Sequence, residues 1–129
     1  MTILIIGGAY QGKLAYAQGL PQYGGETLDG ANADEAAFSN AACVNHLHLF
    51  VQKLLREGVP PEAVQDLITQ NTADKIILCD DICGGIVPMD KAEILWRETT
   101  GRLLCDLTKC ADVVVRMQCG LPQAWKGAL

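Results

Sequence analysis

Three groups of residues have the types and spacing for phosphate chemistry. They are the stretch Gly7-Gly8-Ala9-Tyr10-Gln11-Gly12-Lys13-Leu14, the two histidines in Asn45-His46-Leu47-His48, and the adjacent carboxylates Asp80-Asp81. The first fits G-x-x-x-x-G-K-[ST] as far as its lysine. In such a loop the glycines let backbone N–H groups turn inward around phosphate oxygens, and a helix N-terminus adds partial positive charge. Lys13 would bring a full charge to the terminal phosphates. Leu14 stands where the pattern has a hydroxyl that binds Mg²⁺. The plainer alternative is a tight strand-to-helix turn with Lys13 solvated.

Asp80 and Asp81 end the apolar run Lys75-Ile76-Ile77-Leu78-Cys79. A buried strand that delivers a carboxylate to its C-terminal end is one way to hold Mg²⁺, directly or through water. With Leu14 unable to contribute, Asp80 and Asp81 are the metal candidates. Neighbouring residues on a strand face opposite ways, so one of the two faces the site unless the strand has already ended. A polar strand terminus is the competing account. The histidines lie two apart, which on a regular helix separates them by roughly 200°. They cannot chelate one metal there. If Asn45 caps a helix, one histidine faces a site and the other does not. The alternative is two surface histidines beside an apolar stripe.

The elements that must position these groups alternate. Ile3 to Ile6 is a continuous apolar run, as in a strand covered on both faces. Residues 13–19 predict a short helix stopped by Gly19 and Pro21. Glu26 to Gly30 reads as a brief strand, with Asp29 either at the same sheet edge as the loop or simply in an Asp-Gly turn. Residues 33–58 read as helical with a break near Ser39-Asn40, burying Val44, Leu47, Val51, Leu54 and Leu55. A helix over 62–70 and a strand over 75–79 follow. After them come a glycine-containing loop, Ile82 to Pro88, and a long helix over 90–110. That helix buries Ala92, Trp96, Thr99, Leu103, Leu107 and Cys110. The last strand covers 112–119, and a short tail is anchored by Trp125. The whole predicts one α/β domain over residues 1–129, three-layered with a mainly parallel sheet. Ligands of such sheets sit outside the carboxyl ends of the strands, where all three groups converge.

The net charge of −5 argues against a nucleic-acid partner, which Lys and Arg clusters would hold. No apolar run approaches a membrane span and no cationic leader precedes Ile3, so the expected location is the cytoplasm. Half of the residues are hydrophobic, from which we expect a homo-oligomer. Six cysteines never form C-x-x-C, which supports neither a zinc ribbon nor a thioredoxin motif; reduced, mostly buried thiols are expected.

Asp80-Asp81-Ile82-Cys83-Gly84-Gly85-Ile86-Val87-Pro88, then Arg97, Gly101-Arg102, Ala111-Asp112 and Cys119-Gly120-Leu121-Pro122, carry a resemblance. Together with Gly7 to Lys13 they resemble the bifunctional adenosylcobinamide kinase / adenosylcobinamide-phosphate guanylyltransferase family. That family has G-G-A-x-x-G-K-S, N-E-V-G-x-G-I-V-P, R-x-x-x-G-R, A-D-E-V and S-G-[IL]-P at matching spacing. The likeness covers about residues 1–19 and 75–126. It implies a P-loop NTPase-like, nucleotide-binding domain that takes GTP or ATP, uses Mg²⁺, and works as an oligomer in cobalamin biosynthesis. It implies phosphorylation of a corrinoid hydroxyl, then transfer of GMP through a guanylylated histidine. By position, Gly7, Gly8, Ala9, Tyr10, Gln11, Gly12, Lys13 and Leu14 would bind the nucleotide. Asp81 would stand where the family has its Glu. Lys13, Asp81 and His46 are the catalytic candidates, with His46, or else His48, replacing the family's histidine. Two other functions fit the residues. One is a degenerate phosphate-loop module that binds without turnover. The other is a dinucleotide-binding fragment with Asp29 on the ribose, although Ala9 then occupies a glycine position and Lys13 has no role.

Overall fold

The computed structural model describes residues 1–82 and 90–128. Its elements run β1 (Ile3–Gly7), α1 (Lys13–Gln18), β2 (Leu28–Asp29), a 3₁₀ turn (Gly30–Asn32), α2 (Glu35–Asn40), β3 (Cys43–Asn45), α3 (Leu47–Arg56), α4 (Pro61–Thr69), β4 (Ile76–Asp80), α5 (Lys91–Cys110), β5 (Val113–Gln118) and β6 (Leu121–Lys126). The glycine loop expected between Ile82 and Pro88 lies, from Cys83 on, outside the described residues.

The six strands form one sheet in the order β2-β3-β4-β1-β5-β6. All pair in parallel except β6, which runs antiparallel to β5. β1 is buried along its whole length because it lies between β4 and β5 and is covered on both faces. Alternation along a strand sends Leu4 and Ile6 to one face and Ile3 and Ile5 to the other. Leu4 and Ile6 join a core built from Phe38 of α2, Phe50 and Val51 of α3, Ile68 of α4 and Leu103 and Leu107 of α5. Ile3 and Ile5 join Ala17 of α1, with Leu14, Tyr16, Leu20 and Tyr23 packed around them. Helices therefore flank both faces of a mainly parallel α/β sheet. The register sets Gly7 opposite Asp80 on one side and Met117 on the other. The loop after β1 thus starts level with the end of β4.

Several expectations are corrected. The 33–58 region is not one broken helix: β3 lies inside it and pairs with β4, so Val44 is a buried strand residue. The chain after Gly120 is not a short anchored tail but an edge strand, fully exposed and able to accommodate Pro122 there. Trp125 is 58% exposed, with the Arg116 guanidinium 5.4 Å above its ring. On α5 the buried side chains are Thr99, Thr100, Leu103 and Leu107; Trp96 is half-buried, while Ala92 and Cys110 are exposed. Among the cysteines, Cys43 and Cys79 are buried, but Cys105, Cys110 and Cys119 are exposed. Among the described residues no helix is long and apolar enough to cross a membrane.

Candidate functional site

The loop after β1 is held from three sides. At Gly7 a Cβ would come within 2.7 Å of the Met117 carbonyl oxygen, so the strand end packs too closely for a side chain. Gly12 takes φ +89° and caps α1, a left-handed conformation that suits glycine. At the loop tip, the Gln11 carbonyl accepts the Gly120 N–H at 3.1 Å and its side-chain oxygen accepts the Cys119 N–H. The β5–β6 turn therefore pins the loop.

Lys13 is not solvated. It is 7% exposed, and its Nζ lies 2.7 Å from the Gly8 carbonyl and 2.7 Å from Oδ1 of Asp80. Asp80 ends β4 and has a second neighbour, with its Oδ2 3.5 Å from Nε2 of buried His48. The Asp80 N–H donates to Nδ1 of His48 at 3.2 Å, which puts the lone pair on Nδ1 and the neutral ring's proton on Nε2, beside the carboxylate. Trp96 Nε1 donates to the His48 carbonyl at 2.7 Å and ties α5 to this corner.

His46 does not belong to the helix. It caps α3 from a left-handed conformation, φ +57°, and its Nδ1 lies 3.0 Å from Oδ1 of Asp29. The two imidazoles meet edge to face at 5.7 Å. Both histidines lie at this edge but in different settings: His48 is buried, and His46 lines a cleft. The regular helix starts only at Leu47, after the left-handed bend at His46. The cap is also His46 itself, with Asn45 Oδ1 accepting its N–H at 2.9 Å.

A cleft of about 280 Å³ opens here, lined by residues 9–15 on one side and by Asn45, His46 and Asp80 on the other. Asp29 lies beside His46 and has two partners. It accepts the Ala31 N–H at 3.0 Å at the start of the 3₁₀ turn, and it holds His46. Its partial burial pushes the carboxyl upward, but the Ala31 N–H and the His46 ring outweigh this and bring it below its ordinary value.

Asp81 lies one residue past the end of β4. Its N–H donates to the Gly7 carbonyl at 2.8 Å, and its Oδ2 lies 3.1 Å from Nη1 of Arg116, across the end of β1. The carboxylate at the loop lysine is that of Asp80. This bears on Mg²⁺, which generally takes one or two carboxylates together with substrate phosphates. Of the candidates, Asp80 would fit that use if Lys13 released it, whereas Asp81 is held by Arg116 and Leu14 offers no side-chain oxygen. No group of three or more His, Cys, Asp or Glu that could hold a metal occurs among the described residues.

Burial, first of all, holds the His48 imidazole below its ordinary pKa. Asp80 and Asp29 pull it up, while His46 and Lys13 push it further down. In the unfolded chain His48 takes its proton at the ordinary value of about 6.5. The folded state therefore binds fewer protons just below that pH, and stability falls as pH drops through about 6.5. Urea midpoints at about pH 8 and about pH 5.5 should show this loss in the wild type and a smaller one in His48→Gln. Equal losses in both would place the effect elsewhere.

Fold and site together define a mainly parallel α/β protein whose lysine-bearing glycine loop shares a cleft with a carboxylate-bound histidine. Among known proteins, no family model and no curated sequence matches the chain.

Proposed function

We propose that the protein binds GTP or ATP and acts as a nucleotidyltransferase of the cobinamide kinase / guanylyltransferase type, with His46 as the covalent acceptor. The observation that carries this reading is the buried loop lysine facing one cleft with a histidine whose Nδ1 is tied to a carboxylate. The loop amides and Lys13 bind the phosphates, with Lys13 exchanging Asp80 for phosphate oxygen. Nε2 of His46 attacks the α-phosphorus. An N–P bond forms, the bond from the α-phosphorus to the bridging oxygen breaks, and pyrophosphate leaves with its charge held by Lys13 and the loop N–H groups. The nucleotidyl group then passes to a phosphate oxygen of the acceptor, a corrinoid phosphate by the resemblance, and His46 is regenerated. Mg²⁺ arriving with the nucleotide would be held by Asp80 and phosphate oxygens, and it supplies charge neutralisation.

Incubation with α-³²P-GTP or α-³²P-ATP should leave acid-labile label on the wild type and on His48→Gln, and none on His46→Ala. Absence of label with both nucleotides removes the transferase. Leu14, which deprives the loop of its hydroxyl, favours a second reading: a loop that binds nucleotide without turnover. That reading requires no label but a clear thermal shift, because ligand at 100 times Kd stabilises by about 2.7 kcal/mol.

A further inference from the structure

We propose that Asp29 and Gly30 are positioning residues that hold His46 as its Nδ1–H tautomer, leaving the lone pair on Nε2. The proposal takes its chemical meaning from the transferase reading, but it concerns the protein without nucleotide and can be tested there. An ionised carboxylate only accepts hydrogen bonds, so at 3.0 Å from Asp29 Oδ1 the His46 Nδ1 must be the donor. A neutral ring with its proton on Nδ1 has its lone pair on Nε2. The depressed carboxyl of Asp29 is consistent with an acceptor that stays ionised.

The surroundings are built to keep this contact. Oδ1 of Asp29 is itself oriented by the Ala31 N–H at 3.0 Å. The backbone of His46 is fixed on both sides. Its N–H goes to Asn45 Oδ1, and its carbonyl accepts the N–H groups of Leu49 at 3.0 Å and Phe50 at 3.2 Å. Gly30 lets the two segments meet. A Cβ there would lie 2.5 Å from the His46 carbonyl oxygen, 3.1 Å from that of Asn45 and 3.0 Å from Cβ of Phe50. The 3₁₀ turn therefore seats directly on the bend that carries His46, with no room for a side chain between them. His46 also pays for this place with a left-handed backbone, an arrangement found where a side chain must be aimed. His48, by contrast, accepts a backbone N–H on Nδ1 and keeps its proton on Nε2. The only two histidines of the chain thus hold opposite tautomers.

Long-range ¹H–¹⁵N correlation spectra of the uniformly labelled protein without nucleotide, at a pH where both rings are neutral, decide the point. The wild type should show one Nδ1–H ring, assigned to His46 by its loss in His46→Ala, and one Nε2–H ring, His48. Asp29→Ala should move His46 toward the Nε2–H form and leave His48 unchanged, which also reports that the fold persists. Asp29→Asn, which keeps an oxygen for the Ala31 N–H but loses the charge, should move it in the same direction. In the nucleotide-dependent reaction both variants should slow labelling by at least about 10²-fold with GTP affinity unchanged, as a wrong tautomer does elsewhere. An Nε2–H signal for His46 in the wild type overturns the proposal without any variant, as does an unchanged His46 tautomer in folded Asp29→Ala. Correct tautomers in a protein that takes no label would leave the positioning intact and remove the transferase alone.

Discussion

Replacing Lys13 by alanine should reduce nucleotide-dependent labelling by about 10²–10³-fold, the usual cost of losing one preorganised donor to a developing oxyanion. It should also destabilise the free protein. Lys13 and Asp80 form a pair with side chains 7% and 20% exposed, and removing one partner strands the other. A fully buried pair broken this way costs about 3–5 kcal/mol; the residual exposure of Asp80 and its second contact with His48 bring the expectation to about 2 kcal/mol. The two effects separate in a double variant. Lys13→Met with Asp80→Asn leaves neither charge behind and should regain most of the lost stability, while labelling stays absent. Urea denaturation and the labelling assay read the two quantities independently. Undiminished labelling in Lys13→Ala would show that the loop lysine does not touch the transferred phosphate. Unchanged stability would show that the ion pair contributes nothing in the free protein.

The same pair shows where sequence reasoning reaches and where it stops. The runs Ile3 to Ile6 and Lys75 to Cys79 are legible as strands because both faces of each are covered, and they duly form adjacent β1 and β4. Their adjacency brings Lys13 and Asp80 together. Which of two neighbouring aspartates faces the loop depends on where the strand ends, and no local pattern fixes that. β4 runs through Asp80, and Asp81 then reaches across β1 to Arg116 on β5, a contact 35 residues distant in sequence. β3 was illegible for another reason. Its three residues sit among apolar positions that also obey the helical period, and only pairing with β4 makes Cys43–Asn45 extended. The bend at His46 follows directly on that strand, and with it comes the approach of His46 to Asp29. The legible signal is Asp-Gly at the end of a short strand: the glycine marks a close approach and the aspartate carries the contacts to Ala31 and His46. β6 had no apolar pattern to read, because all six of its residues are exposed and only backbone pairing with β5 defines it.

Phe50→Ala should have the largest effect on stability, about 3–5 kcal/mol, through lost burial and the cavity left behind. Phe50 is fully buried and stacks on Phe38 with ring centroids 4.7 Å apart and planes 9° apart. The Phe38 ring in turn lies under the buried Lys75 amine, 4.3 Å from its centroid, and the Phe38 carbonyl accepts from that amine. Removing the Phe50 ring therefore loosens α2, α3 and the start of β4 together. For a chain of this length the melting temperature should fall by about 10–20 °C. A second consequence distinguishes this position from the rest of the core. The Phe50 N–H bonds the His46 carbonyl, and its Cβ is what a side chain on Gly30 would strike. Both atoms remain in Phe50→Ala; the substitution removes the ring that stacks α3 on Phe38 of α2, and with it the support for the bend that carries His46. Leu107→Ala, in the same core but on α5, should cost about 2–5 kcal/mol and leave the labelling rate of the folded protein unchanged. Phe50→Ala should lower that rate as well, at a temperature where the protein is still folded, and Phe50→Leu should restore much of the stability. Equal labelling rates in folded Phe50→Ala and Leu107→Ala would show that the histidine is held by its own hydrogen bonds, and that the aromatic stack beneath it serves the core alone.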